Sequence, residues 1–222
     1  MTTTDKSKVA VWDLPTRLFH WLLVIGLVGS FVTISQGWMQ AHFYFGYLLT
    51  GLILFRVLWG LVGTTYARFT GFNLSVAGFF RQLRDMATGS AAPVAGHNPA
   101  GAVMVLILLL VIGLQAVSGL FYTDDVFWFG PFFFDGPNWA VNMAAWLHPR
   151  LPMLIMLLVS AHLLALIYHR FRLGERLVGA MIHGRKSDLP AANSRSPVQP
   201  VALMFSLLAV AGWLVYLWLQ PI

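Results

Sequence analysis

The chain contains no cysteine, so disulfides, thiolate metal sites and iron–sulfur clusters are excluded. It is also poor in charge: 10% of its 222 residues are Asp, Glu, Lys or Arg, against about 25% in an ordinary soluble domain. No Asp or Glu falls within any of its long apolar runs, which speaks against a carboxylate-based proton path. No internal repeat is visible, whereas many transporters are built from repeats. A histidine-relay transporter is therefore disfavoured.

What fills the chain instead is apolar: 58% of it is hydrophobic. Runs long enough to cross a hydrocarbon core of about 30 Å occur at about 18–36, 42–63, 101–122, 149–169 and 201–219. Their length and their Leu, Val and Ala content predict helices; barrel strands would alternate over about ten residues. The expected fold is all-α, a transmembrane four-helix bundle with an additional C-terminal fifth transmembrane helix. Residues 1–186 form the membrane domain, 187–200 ("SDLPAANSRSPVQP") a linker, and 201–222 the appended helix. "FFRQLRDM" reads as a possible interfacial amphipathic turn, and the aromatic outer loop "FYTDDVFWFGPFFFDGPNW" as a cover over one mouth of the bundle.

The net charge of +6 records topology rather than a nucleic-acid partner. Lys6, Lys8 and Arg17 precede the first helix, and Arg56, Arg68, Arg81 and Arg84 end or follow the second. Arg170, Arg172, Arg176, Arg185, Lys186 and Arg195 lie between the fourth and fifth. Only Arg150 falls on the other side, so the positive-inside rule predicts a cytoplasmic N-terminus and an outer C-terminus. The opening apolar run is too long for a signal peptide and is expected to stay as the first helix.

Three histidines interrupt "WLHPRLPMLIMLLVSAHLLALIYHR", at His148, His162 and His169. At about 100° per residue, intervals of fourteen and seven fall only about 40° and 20° short of whole turns, so one helix would carry all three on one face. Ionisable side chains in membrane helices are rare, face the bundle interior and usually mark function. Partners stand on other helices: His20 at the inner start of the first, His42 at the outer start of the second. Topology sets His148 level with His42, and His162 or His169 near His20. Two histidines per site, without neighbouring Cys, Asp or Glu, are too few for structural zinc. They suffice as the two axial ligands of a haem.

Other residues fit the same reading. Gly46, four residues after His42, and then Gly51 would leave space for a flat macrocycle or serve close helix packing. Arg56, fourteen residues after His42, could meet a haem propionate at the inner depth or snorkel; Arg17, Arg170 and Arg172 could serve the same end. Because Pro149 and Pro152 are tolerated only in a first turn, the fourth helix is expected to begin at His148.

"VWDLPTRLFHW", "HFYFGYLLTGLILFRVLWGLVG", "HNPAGAVMVLILLL" and the "LH" followed fourteen residues later by "AH" resemble the bacterial cytochrome b561 and nickel–iron hydrogenase cytochrome b family. The resemblance covers about residues 9–186. It implies a bundle enclosing two haem b groups with bis-histidine iron, His42 with His148 at the outer haem and His20 with His162 at the inner, His169 being the alternative inner ligand. It further implies a respiratory-chain role in the bacterial cytoplasmic membrane, exchanging electrons between the quinone pool and a periplasmic c-type cytochrome or a hydrogenase or other dehydrogenase subunit. In the second case the chain would be a haem-bearing membrane anchor.

Overall fold

The computed structural model describes residues 9–187, 189 and 195–220. Lys6 and Lys8 of the charge pattern, and most of the expected linker, lie outside the described residues. The elements run β1 (Val9–Ala10), α1 (Leu14–Ser35), α2 (Met39–Val62), α3 (Val76–Thr88), α4 (Pro99–Gly119), α5 (Asn138–Leu147), α6 (Leu151–Arg172), α7 (Leu177–His183), β2 (Arg185–Lys186) and α8 (Pro200–Trp218). Helices α1, α2, α4, α6 and α8 are the five that are long and apolar enough to cross a membrane. Half of the most apolar stretch of α2 is buried inside the protein, against 17%, 22%, 11% and 11% for α1, α4, α6 and α8. The span of α2 is thus the most enclosed of the five.

Packing divides the chain into two compact units: Met1–Leu18 with Leu58–Leu106 and Val159–Leu203, and Phe19–Val57 with Ile107–Leu158 and Met204–Ile222. In the first unit, β1 and β2 pair antiparallel, Val9 opposite Lys186. This small ladder, absent from the sequence-based expectation, gathers Val9, Val11, Trp12, Ala95, Ala180 and Leu189 into a buried cluster. Asp13, 1% exposed, starts α1: its Oδ1 accepts from Thr16 N–H at 2.6 Å, as helix N-caps do. Its Oδ2 accepts from Trp59 Nε1 at 3.2 Å and from the Thr64 hydroxyl, so one buried carboxylate joins the start of α1 to the end of α2. Asn98 caps α4 in the same way, accepting from Gly101 N–H at 2.7 Å, with Pro99 in the first helical position where its missing N–H costs nothing.

In the second unit, three residues reverse the chain between α1 and α2. Gly37 sits at φ +70, Trp38 N–H donates to Thr33 O and Gly37 N–H to Ile34 O. That pair of bonds is the Schellman C-cap, which wants glycine at the left-handed position. Helix α8 packs on α2: Trp213 Nε1 donates to Thr50 Oγ1 at 2.9 Å, and the Tyr44 and Trp218 rings stack at 5.1 Å. Phe132 of the outer loop lies 6.2 Å from the Trp213 ring and 6.0 Å from Tyr216. The fifth span is thus fastened by side chains that face the second, and is not a loose appendage.

Candidate haem-ligand site

The second unit brings together four chain segments around two imidazoles. His42 occupies the first turn of α2, and its Nδ1 lies 3.0 Å from the Ser30 carbonyl of α1. His148 lies between α5 and α6, with Nδ1 at 3.1 Å from the Gln115 carbonyl and 3.2 Å from the Ser118 hydroxyl of α4. The carbonyl in each case is an acceptor, so a ring with its hydrogen on Nδ1 donates there and presents the Nε2 lone pair; at His148 the Gln115 side-chain Nε2 also lies 3.2 Å from Nδ1 and 3.5 Å from Nε2. Holding the far nitrogen by a backbone carbonyl is how proteins orient metal-binding histidines. The two ring centres are 6.4 Å apart and their planes cross at 79°.

That separation tests the fit to haem. Two metal–nitrogen bonds of about 2 Å each, plus about 1 Å from each nitrogen to its ring centre, put two axial imidazoles about 6 Å apart. The surrounding cavity, about 320 Å³, is lined by Leu27, Phe31, Gly46, Ala116, Tyr122 and Ile155 besides the two histidines, an apolar setting with few polar groups. A Cβ placed on Gly46 would meet nothing within 4 Å; the missing side chain opens directly onto the cavity. Burial, and next the neighbouring His42 imidazole, push the His148 imidazole down to about 4, toward the neutral form that ligates. Among the described residues no group of three or more His, Cys, Asp or Glu could hold a bare metal ion.

One expectation needs correction, and one alternative is decided. His148 is not the first residue of the fourth span: it is the C-cap of α5, and α6 starts at Leu151. Pro149 and Pro152 follow too closely for an uninterrupted helix, so the phase argument holds for His162 and His169 on α6 but not for His148. Gly51 does not widen the cavity. A Cβ there would come within 3.0 Å of Leu214 Cδ2, so this glycine serves the packing of α8 on α2.

Four residues that shape the site escaped the sequence reading. Gln115, Ser118 and Gly119 form the wall of α4 against which His148 rests; a Cβ on Gly119 would come within 2.9 Å of His148 Cε1. Tyr122 stacks on the same imidazole at 5.0 Å and 29°. Their signal was present: Gln115 is the first polar side chain in an unbroken apolar run from Ala102, where polarity usually has a use.

The other candidate residues divide between the two units. His20, edge-on to Trp21 at 5.1 Å, and Arg56, 3% exposed, belong to the second unit, whereas Arg17, His162 and His169 belong to the first. His162 is half-buried on α6. His169 is buried, with Nδ1 2.7 Å from Glu175 Oε2, so a carboxylate holds its far nitrogen. Arg17 Nη1 donates to the Ile182 carbonyl, fastening α7 to the start of α1.

A family model described as prokaryotic cytochrome b561 matches residues 11–184. No curated protein and no solved structure matches the chain.

Proposed function

The chain belongs to the prokaryotic cytochrome b561 family and is thereby a multi-pass membrane b-type cytochrome of electron transfer; from that premise we propose that it conducts electrons through two haems between quinone or quinol and a redox partner on the outer side of the bacterial cytoplasmic membrane. The observation that carries this reading is the His42–His148 pair, 6.4 Å between ring centres with both Nδ1 atoms set on carbonyls of neighbouring helices. In this reading His42 and His148 hold the outer haem, and His20 with His162 the inner one, His169 being the alternative. Bound haem iron supplies one-electron exchange.

The chain's own groups do the rest. The carbonyls of Ser30 and Gln115 and the Ser118 hydroxyl fix ring orientation, and second-sphere acceptors of this kind also raise ligand basicity. The apolar lining keeps water from the ligands and so strengthens every charge interaction inside. Arg56, buried on α2 fourteen residues beyond His42, would be the cation that partners an inner propionate carboxylate, with Arg17 as a second. The N-terminus faces the cytoplasm and the C-terminus the outside. An extrinsic donor or acceptor, a c-type cytochrome or a hydrogenase or other dehydrogenase subunit, docks at the outer loop, where Phe127 is 81% and Phe134 76% exposed.

The purified chain in proteoliposomes tests this. Added quinol reduces the b-type absorbance, and an impermeant acceptor outside reoxidises it. An absorbance that quinol leaves oxidised, while dithionite reduces it, contradicts the quinone part of the reading. Stoichiometric co-purification with an extrinsic subunit identifies the anchor form.

A further inference from the structure

Between α2, which ends at Val62, and α4, which begins at Pro99, the chain builds α3. Its ends are firmly made: the Ser75 side chain accepts from Gly78 N–H, and Gly89 closes the helix at φ 74. The rule of about 100° per residue puts Val76, Phe80, Leu83 and Ala87 in one narrow stripe. That stripe faces away from the protein: Val76 is 72% exposed, Phe80 63% and Leu83 42%. The opposite side carries the contacts. Gly78 is buried there, and the Met86 carbonyl accepts from the Tyr168 hydroxyl at 2.6 Å, tying α3 to α6 close to that span's end.

A surface helix in water turns its apolar stripe inward; α3 turns its stripe outward. Arg81 and Arg84, both exposed, flank the stripe on one side. Arg68, Arg170, Arg172 and Arg176 of the same unit are exposed too, while Asp13 is buried and Asp85 and Glu175 are partly covered. In sequence α3 stands between α2 and α4, both long and apolar enough to cross a membrane, so it connects the ends of two spans on one side of a bilayer. An outward apolar stripe with a cationic flank, in that position, is complementary to a leaflet of anionic lipid.

We propose that α3 is an interfacial helix, its Val76, Phe80 and Leu83 side chains immersed among acyl chains and its Arg81 and Arg84 guanidinium groups on the phosphates of anionic lipids. The chain's lack of cysteine makes the test clean. Single nitroxide labels are attached to the full-length variants Phe80→Cys, Leu83→Cys and Ser90→Cys, reconstituted in phosphatidylcholine vesicles with or without phosphatidylglycerol. Labels at 80 and 83 are relaxed by oxygen and sheltered from a water-soluble nickel chelate, while the label at 90 is reached by the chelate. Should Phe80→Cys not assemble, Leu83→Cys and Val76→Cys report on the same stripe. In the Arg81→Gln/Arg84→Gln double variant, the preference for phosphatidylglycerol in tightly held lipid falls by about fivefold for each arginine replaced. Labels at 80 and 83 open to the chelate would overturn the proposal by placing the stripe in water. Labels shielded from both reagents would overturn it too, since another protein surface would then cover the stripe. An unchanged lipid preference in the double variant would remove the anionic partner.

Discussion

Gly119→Ala is a small change that attacks the proposed outer ligand site without touching a proposed ligand. The added Cβ would lie 2.9 Å from His148 Cε1 and 3.4 Å from Nδ1. Ordinary carbon–carbon contact is about 3.5–4.0 Å, so the imidazole has to retreat by about 0.6 Å. It has little freedom to do so: Gln115 O holds Nδ1 at 3.1 Å, and Tyr122 stacks on the ring. A coordination bond tolerates displacements of only about 0.2 Å. Overpacking of this kind costs about 1–3 kcal/mol, which converts to about 5- to 150-fold weaker haem retention at the outer site. The assay is haem content per chain with a redox titration of purified protein, Gly113→Ala serving as the control in the same helix. A Cβ at Gly113 meets only Ile53 Cγ2, at 3.4 Å, and leaves both centres in place. Gly119→Ala loses or shifts one centre and spares the other. If it keeps full haem content with unaltered spectra and potentials, the resting of His148 against α4 does not govern ligation.

Other outcomes follow from the same contacts. Gly51→Leu drives a large side chain into Leu214 and loosens α8 from α2, read as earlier thermal loss of folded protein in detergent, while leaving haem content near that of the parent chain. Asp13→Ala removes the α1 cap and the acceptor of Trp59 and Thr64; leaving those buried donors unpaired costs about 1–3 kcal/mol, read as earlier thermal loss of folded protein in detergent. Asp124 in the outer loop accepts from Val126, Phe127 and Trp128 N–H, and these bonds hold its carboxyl below the ordinary value. A depressed folded value means that the stabilisation is present above the unfolded carboxyl range and is lost as pH falls through the folded one. Amide exchange at Val126, Phe127 and Trp128 therefore stays protected through mild acid and rises only below the usual aspartate range; protection lost already near neutrality would contradict this.

Much of the architecture was legible because hydropathy in a bilayer is a coarse and strong constraint. The run expected at 42–63 is α2 at Met39–Val62, and that at 101–122 is α4 at Pro99–Gly119. Boundaries moved where caps decide them: Asp13 and Asn98 start their helices earlier than the apolar runs suggest. His42 and His148 were legible as a level pair from topology alone. The break at His148 was not, because two prolines weaken a helix without saying which residue ends it. The carbonyls of Ser30 and Gln115 were beyond reach for a different reason. Backbone acceptors leave no mark in the residue type, and only the approach of α1 and α4 to the two rings reveals them. Gly46 and Gly51 make the same point, since one opens a cavity and the other admits Leu214, although both read simply as glycine in an apolar helix.

The most direct test of the central claim is haem content, together with reduced-minus-oxidised spectra, for the parent chain, His42→Ala and His148→Ala prepared side by side. Two haems per chain in the parent, with the same single centre missing from both variants and the other centre spectrally intact, is the result that shared ligation predicts. Variants that lose different centres, or that both retain two, would show that these imidazoles do not grip one iron.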